Sequence, residues 1–362
     1  MENYLVKMRG KDGDMLEIKN LCVERGTFSL KDITFDVQDS EYFVLAGPTG
    51  SGKTVLLETV AGLHSGSSGQ VWINGRDVTS FDLEKRRVGF AYQDCAVYGH
   101  LSVRDNISFG LMYRYKTRRE IEQAVDRAIE LLGIQHLLEK RPTYLSGGET
   151  QKIALARAIA IKPDLLLFDE PLSAVDAETK YAYGRELKEL HNRLKLPTIH
   201  VTHDFEEAMA LGDRMAVMWE GRILQIGTPK QVFRHPTSEF VARFFMTKNI
   251  FQGEVQDVSG GQSVFCLERH KMMVVTTLCG QRHASIRPES ISISREKPDC
   301  DGVNCLQGII SQISERGSIA YITVDVPPEF TCLVLQPILE EMGLKEKQTI
   351  YITFKASAVN IF

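Results

Sequence analysis

Glycines at 47, 50 and 52 are followed at once by Lys53 and Thr54, in the run Gly47-Pro48-Thr49-Gly50-Ser51-Gly52-Lys53-Thr54. Glycines let successive backbone N–H groups turn toward one centre, and a helix that begins there adds the partial positive charge of its N-terminus. A lysine closing such a turn reaches the β and γ phosphates of a nucleotide, and the hydroxyl beside it ligates Mg²⁺. The run matches a phosphate-binding loop at every fixed position, so the chemistry expected of it is the holding of a nucleoside triphosphate with its metal.

Such loops serve kinases, GTPases and ATPases alike, and other residues narrow the choice. No NKxD-type guanine-reading segment is present, which favours ATP. Residues 165–171, Leu-Leu-Leu-Phe-Asp-Glu-Pro, put Asp169 and Glu170 at the end of an apolar run. The first carboxylate suits the Mg²⁺ shell and the second suits polarising an attacking water. Gln93 ends the run Gly-Phe-Ala-Tyr and offers an amide to Mg²⁺ or water, while His203 ends another apolar run, in reach of a γ-phosphate. His200 lies three residues before it, but on an extended strand the two rings face opposite sides, which argues against a zinc pair.

Ser146, Gly147 and Gly148 open an amphipathic helix, so their N–H groups and the Ser146 hydroxyl form a second anion site of the helix-terminus type. For both sites of one chain to share a nucleotide, the helical stretch between them must fold back over the sheet. A two-fold, head-to-tail dimer is simpler: each Ser146 turn covers the γ-phosphate held by the partner's Lys53.

These residues need a frame. Tyr42–Gly47 is a continuous apolar run of the kind that forms a strand buried on both faces, and Val55–Leu63 reads as the helix after the loop. The runs that end at Glu170 and at His203 supply further strands separated by helical segments, which predicts a mostly parallel α/β sheet. Residues 15–37 read as short period-two strands, and the stretch from Gln93 to Ser146 as a helical subdomain. In that subdomain Ile121, Val125, Ala128 and Leu132 share one helix face. Near Pro236 the character changes to a short helix, and beyond Phe251 to strands with Gly-rich turns. The expected domains are therefore 1–235, a linker helix over 236–250, and a small OB-like β-barrel over 251–362. Within the last, Gln252, Gly253, Val255, Val258 and Ser259 align with Gln307, Gly308, Ile310, Ile313 and Ser314, an internal repeat.

Composition agrees with two globular domains: 362 residues, 43% of them hydrophobic. Lys plus Arg is 43 against Asp plus Glu 47, a net charge of −4, so nucleic acid is not an expected partner. The seven cysteines follow neither a disulfide nor a zinc spacing and read as reduced thiols. No run of 18 apolar residues occurs and the first residues contain no apolar signal core, so any membrane role is expected through a partner.

Taken in order, the loop at Gly47, Gln93, Leu145–Ala158, the Asp169-Glu170 pair, Ser173-Ala174-Val175-Asp176 and Thr202-His203-Asp204 resemble the ATPase subunits of ABC transporters over about residues 15 to 235. The resemblance implies an ATP- and Mg²⁺-dependent homodimer on the cytoplasmic face of the membrane, docked on two permease subunits and served indirectly by a substrate-binding protein. It implies Glu170 as catalytic base, Asp176 in the D-loop where the two ATPase chains meet, His203 as switch histidine, and 93–103 as the groove for a permease coupling helix. There are departures. Thr150 and Lys152 replace the usual Gln and Arg, a change expected on the solvent side. Gly99 stands where Pro is common. Arg25 occupies the place of the adenine-stacking aromatic, so Arg25 or Phe28 is expected to stack on the base.

Residues 304–317 and 348–362, most visibly Phe354–Val359, resemble the β-barrel of molybdate and tungstate importer ATPases, and Ile286–Ile291 resembles the strand that links such accessory domains. An expected cargo follows: a small oxyanion, with sulfate, sugar, iron and polyamine as alternatives. A soluble ABC-type ATPase acting on DNA or ribosomes is the rival class, disfavoured by the single cassette and the short helical insertion. Lys355 and Ser357 are candidates for holding an oxyanion that inhibits the ATPase from within the tail. The Ser-Ala-Arg-Asn entry often seen in such barrels is Asp-Gly-Val-Asn here, which leaves Asn304 alone.

Overall fold

The computed structural model describes residues 15–173, 175–258, 262–267, 269–299 and 301–362. The chain divides between Lys230 and Gln231 into two compact units. Residues 236–250, expected as a linker helix, contribute a short helix and the head of a strand to the second unit rather than standing between two units.

The first unit runs β1 (Leu16–Arg25), β2 (Phe28–Val37), β3 (Tyr42–Ala46), α1 (Lys53–Ala61), β4 (Ser68–Ile73), β5 (Arg76–Asp77), α2 (Leu83–Arg86), β6 (Val88–Ala91), α3 (Val103–Ser108), α4 (Arg118–Leu132), α5 (Gly147–Ala160), β7 (Leu165–Asp169), α6 (Ala177–Leu194), β8 (Thr198–Thr202), α7 (Phe205–Leu211), β9 (Arg214–Trp219) and β10 (Arg222–Gly227). A four-stranded antiparallel sheet has the order β2-β1-β4-β5, and a six-stranded sheet the order β10-β9-β3-β8-β7-β6. In the larger sheet β9, β3, β8, β7 and β6 are parallel, and only β10 is antiparallel. Every residue of β3, β7 and β8 is buried, as strands covered on both faces must be. Their apolar runs therefore carry no alternation, and one core joins Phe43, Leu45, Leu165, Leu167, Ile199 and Val201 to the faces of β1 and β2.

A second cluster packs α3 and α4 on α5 through Val103, Ile107, Val125, Ala128, Ile153 and Ala156. Thr117 starts α4 with a reciprocal capping box to Glu120, and Gly133 ends it at φ 64°. The buried face of α4 centres on Ala124, Val125, Ala128 and Ile129, with Ile121 and Leu132 at its margins.

The second unit begins within α8 (Pro229–Arg234) and continues through α9 (Glu239–Phe244) into β11 (Asn249–Val258), β12 (Gln262–Cys266), β13 (Lys271–Val274), β14 (Gly280–Ile286), β15 (Ser292–Ser294), β16 (Val303–Arg316), β17 (Ile319–Asp325), β18 (Phe330–Leu335), α10 (Gln336–Met342), β19 (Thr349–Lys355) and β20 (Val359–Ile361). Its strands form two five-stranded antiparallel sheets, β13-β12-β11-β14-β20 and β15-β19-β16-β17-β18, around one core. The two orders are the same once β11–β14 is laid on β16–β19, and the fifth strands are exchanged: β15 follows β14 in sequence but joins β19, while β20 follows β19 but joins β14.

The aligned glycines answer the same need. A Cβ on Gly253 would lie 2.4 Å from the Cys266 carbonyl, and one on Gly308 would lie 2.7 Å from that of Asp325. Asn249 is the first residue of one long strand, β11, and Asn304 the second of the other, β16. Asn249 donates to the Thr331 carbonyl at 2.8 Å and accepts from its N–H at 2.6 Å; Asn304 does the same to Met273 at 2.9 and 2.7 Å. Each half thus braces the third strand of the other. Ser259 lies outside the described residues. Ile286–Ile291, expected as a linker strand, is the end of β14 followed by a 3₁₀ turn, and its Arg287 guanidinium lies 3.2 Å from the centre of the Phe233 ring.

Candidate active site

Parallel neighbours end on the same edge of a sheet, and ligands of open α/β sheets bind outside that edge. The adjacent strands β3, β8, β7 and β6 deliver there the Gly47–Gly52 loop, His203, the Asp169-Glu170 pair and Gln93.

The loop is shaped by contacts that exclude side chains. A Cβ on Gly47 would sit 2.3 Å from the Met218 carbonyl, and one on Gly52, at φ 105°, would sit 2.5 Å from the Phe28 ring. Gly50 turns the chain at φ 84°. Lys53 opens α1 almost fully buried, its ammonium donating to the carbonyls of Gly47 at 2.8 Å and Pro48 at 2.9 Å. Burial lowers its pKa, opposed by the carboxylates of Glu170 and Asp169. The Ser51 hydroxyl is buried and has no hydrogen-bond partner among the described residues. An orphaned hydroxyl and a buried ammonium facing only carbonyls fit a phosphate, which accepts from both.

Next to it the Thr54 hydroxyl donates to Asp169 at 3.1 Å. Burial raises the Asp169 carboxyl, the Thr54 bond and Lys53 working against it. Hydroxyl, carboxylate and the Gln93 amide are hard oxygen donors of the kind Mg²⁺ takes alongside phosphate and water. Glu170 follows at φ 47°, a left-handed conformation held by the Ser173 N–H and hydroxyl on its carbonyl at 3.1 and 2.8 Å. Its carboxylate faces His203 Nδ1 at 3.1 Å and the Gln93 amide nitrogen at 3.4 Å. Three residues far apart in sequence thus meet at one carboxylate oxygen.

His200 faces the other way, as the strand period requires. It is fully buried, 2.8 Å from the Tyr42 hydroxyl. Its Nε2 lies 3.3 Å from Glu207, within ion-pairing reach but off hydrogen-bond geometry.

Ser146 is the N-cap of α5: its hydroxyl accepts from the Glu149 N–H at 3.2 Å and its own N–H donates to the Glu149 carboxylate at 2.9 Å. Ser146 and Gly147 are exposed. Asp176 caps α6 through the Thr179 N–H at 3.0 Å, which lowers its pKa. Arg25 is engaged by Glu58 of α1 at 2.9 Å, while the Phe28 ring is the one that flanks the loop at Gly52. Lys152, expected on the solvent side, is partly buried: its ammonium pairs with Glu186 at 2.6 Å and stands 5.8 Å over the Tyr183 ring, because α5 lies against α6 there.

Sequence reasoning missed two positions. Lys180, one helical turn after Asp176, pairs with Asp204 at 2.6 Å and Glu207 at 2.7 Å, tying α6 to the turn after His203. Arg157 of α5 donates to the Ala96 carbonyl at 2.5 Å and lies 5.0 Å over the Tyr98 ring, holding the segment after Gln93. Nothing local announced either, since the partners of both lie on other elements.

A glycine loop before a helix and paired acids at the end of a neighbouring parallel strand place the first unit among the P-loop ATPases. Residues 30–173 match the family model of ABC transporters. The chain is 38% identical, over 96% of its length and all of the relative's, to the molybdate/tungstate import ATP-binding protein WtpC of Pyrococcus abyssi. With the sulfate/thiosulfate import ATP-binding protein CysA of Bacillus cereus it shares 38% identity over 80% of this chain and 82% of that one. Among solved structures it is similar to cbiO1 of Clostridium perfringens, part of the ABC transporter complex cbiONQ, at TM-score 0.56 and 27% identity over 64% of this chain and 94% of that one. The chain belongs to the ABC transporter family, as one of its ATP-hydrolysing, ATP-binding subunits. Membership implies a dimer of such subunits working with membrane permease partners. Among the described residues no helix is long and apolar enough to cross a membrane.

Proposed function

We propose that this protein energises uptake of molybdate or tungstate through a permease, hydrolysing ATP·Mg²⁺ at two sites shared by a pair of identical chains. In the proposed cycle the Lys53 ammonium leaves the Gly47 and Pro48 carbonyls for the β and γ phosphates, joined by the loop amides and the Ser51 hydroxyl. The Thr54 hydroxyl, the Asp169 carboxylate and the Gln93 amide would hold Mg²⁺ together with phosphate and water. When bound, the metal neutralises charge on the transferring phosphoryl group. Glu170 orients the attacking water and takes its proton; His203 steadies both Glu170 and the γ-phosphoryl oxygens. Ser146, Gly147 and Gly148 of one chain close over the nucleotide of the other, with Asp176 at the seam. Arg25 or Phe28 lies against the adenine.

The observation that carries the hydrolytic reading is the convergence of His203 and Gln93 on one Glu170 oxygen. The cargo rests on full-length similarity to a protein named for molybdate and tungstate import. Sulfate is the second reading, supported by the relative named for sulfate and thiosulfate. Uptake assays with the purified transporter in vesicles, comparing tungstate, molybdate and sulfate, separate the two. The tail is proposed as a sensor of the same anion: Lys355 and Ser357 are both exposed at the end of β19 and the turn after it. Asn304 takes no part in that, since its amide is committed to Met273.

A further inference from the structure

Gln151, five residues into the helix that Ser146 caps, is only 5% exposed, and neither its amide nitrogen nor its amide oxygen has a hydrogen-bond partner among the described residues. A buried primary amide left unpaired costs about 1–3 kcal/mol, so its surroundings call for an explanation. The side chain lines a small cavity of about 10 Å³ whose other walls include Tyr92, Cys95, Phe168 and Tyr183. That is about the space one water centre needs, and a water is retained where polar partners surround it. Polar groups are present: the Tyr183 phenol lines the same space, and so does the Cys95 thiol, which donates toward the Gln93 carbonyl at 3.9 Å.

The cavity sits at a junction. Cys95 lies two residues after Gln93 and is followed by Ala96; both hold left-handed backbone, at φ 58° and 37°. Such residues persist only where their surroundings over-determine them, at about 1–3 kcal/mol each. The helix α5 already grips this turn at one point, through Arg157 on the Ala96 carbonyl. Gln151 stands on the same helix and lines the same cavity as Cys95.

We propose that Gln151 binds a single buried water shared with the Tyr183 hydroxyl, and that it thereby acts as a positioning residue for ATP hydrolysis. The water closes the second grip of α5 on the turn after Gln93, so that the Ser146 end of the helix and the Gln93 amide move as one body. The inference rests on the roles proposed above for Gln93 and Ser146.

A high-resolution crystal structure of the full chain tests the site. One water within hydrogen-bond reach of the Gln151 amide is expected; a dry cavity, or an amide bonded directly to protein, overturns the inference. The kinetic arm uses Gln151→Met, which keeps side-chain length and removes both polar atoms, and Tyr183→Phe, which removes only the hydroxyl. Losses of kcat of roughly 3- to 10-fold with unchanged KM for ATP are expected, in keeping with couplings carried by packed networks. The double variant should lose no more than the worse single one. Unchanged kcat, or a loss confined to KM, overturns the role; if Gln151→Met fails to fold, Tyr183→Phe decides alone. Gln93→Ala and Ser146→Ala separate this from the reading beneath it: hydrolysis intact in both sinks that reading, and the inference with it, even where the water is present.

Discussion

At Glu170 backbone strain and chemistry coincide. Its φ of 47° puts the carboxylate between His203 and Gln93, in a conformation that a β-carbon disfavours. Glu170→Gln should lower kcat about 100-fold or more while ATP still binds, as loss of a general base does; normal turnover in the variant removes Glu170 from that role. Glu170→Gly should melt above Glu170→Ala, by about 1 kcal/mol, since glycine adopts this conformation without a steric cost. Glu207 offers a test in pH. Burial alone would raise its carboxyl, but His200, Lys180 and Thr202 around it bring it down to about 2. A carboxyl depressed on folding contributes stability above its unfolded pKa and loses it as pH falls toward the folded one. That stability, on the order of 3 kcal/mol, is present above about pH 4.5 and drains away toward pH 2. Glu207→Gln should therefore flatten the acid limb of the unfolding curve across that window; a parallel loss of stability in both proteins counts against it. The chemical residues were legible because each sits in a local pattern. Lys180 and Gln151 were not, because their partners are brought to them by other elements.

At the scale of elements, α5 carries two tasks at its N-terminus. The Ser146–Glu149 capping box satisfies the first turn of the helix in the isolated chain. Ser146→Ala should cost about 1 kcal/mol of stability as a lost cap, yet reduce ATP hydrolysis far more than that if the hydroxyl also meets the partner's nucleotide. A kinetic loss no larger than the cap accounts for would leave the residue structural. In the second unit the paired asparagines stand for a repeat written in sequence. Asn304→Ala would strand the Met273 N–H and carbonyl at a partly buried edge and should cost about 1–3 kcal/mol, read by chemical denaturation. The repeat was visible as spacing, but the exchange of β15 and β20 was not, since either short strand fits either sheet by pattern alone.

For the molecule as a whole, the proposed dimer gives the clearest expectation. Glu170→Gln with ATP and Mg²⁺ should sediment as a pair of chains, and adding Ser146→Ala should return it to single chains; a lone chain under the first condition sinks the shared-site reading. The tail sets a second test. ATPase activity of the complete transporter should fall as molybdate or tungstate is titrated in, and Lys355→Ala should abolish the fall; indifference to both anions ends the sensor proposal. An anion changes such an equilibrium only by preferring one state of the dimer, so binding without inhibition does not rescue it.

The sequence by itself determined the phosphate loop, the acid pair, the order of motifs and the β character of the last hundred-odd residues. Those are matters of residue type and short spacing, where backbone freedom, apolar period and capping act over one or two turns of chain. Only the tertiary structure decided that Gln93 and His203 meet at Glu170, that Phe28 rather than Arg25 flanks Gly52, that Lys152 is drawn in against Tyr183, and that Gln151 is buried without a partner. Each of these depends on which strand lies beside which. Strand adjacency is set by burial of whole faces, a long-range free energy to which no single residue contributes a readable share.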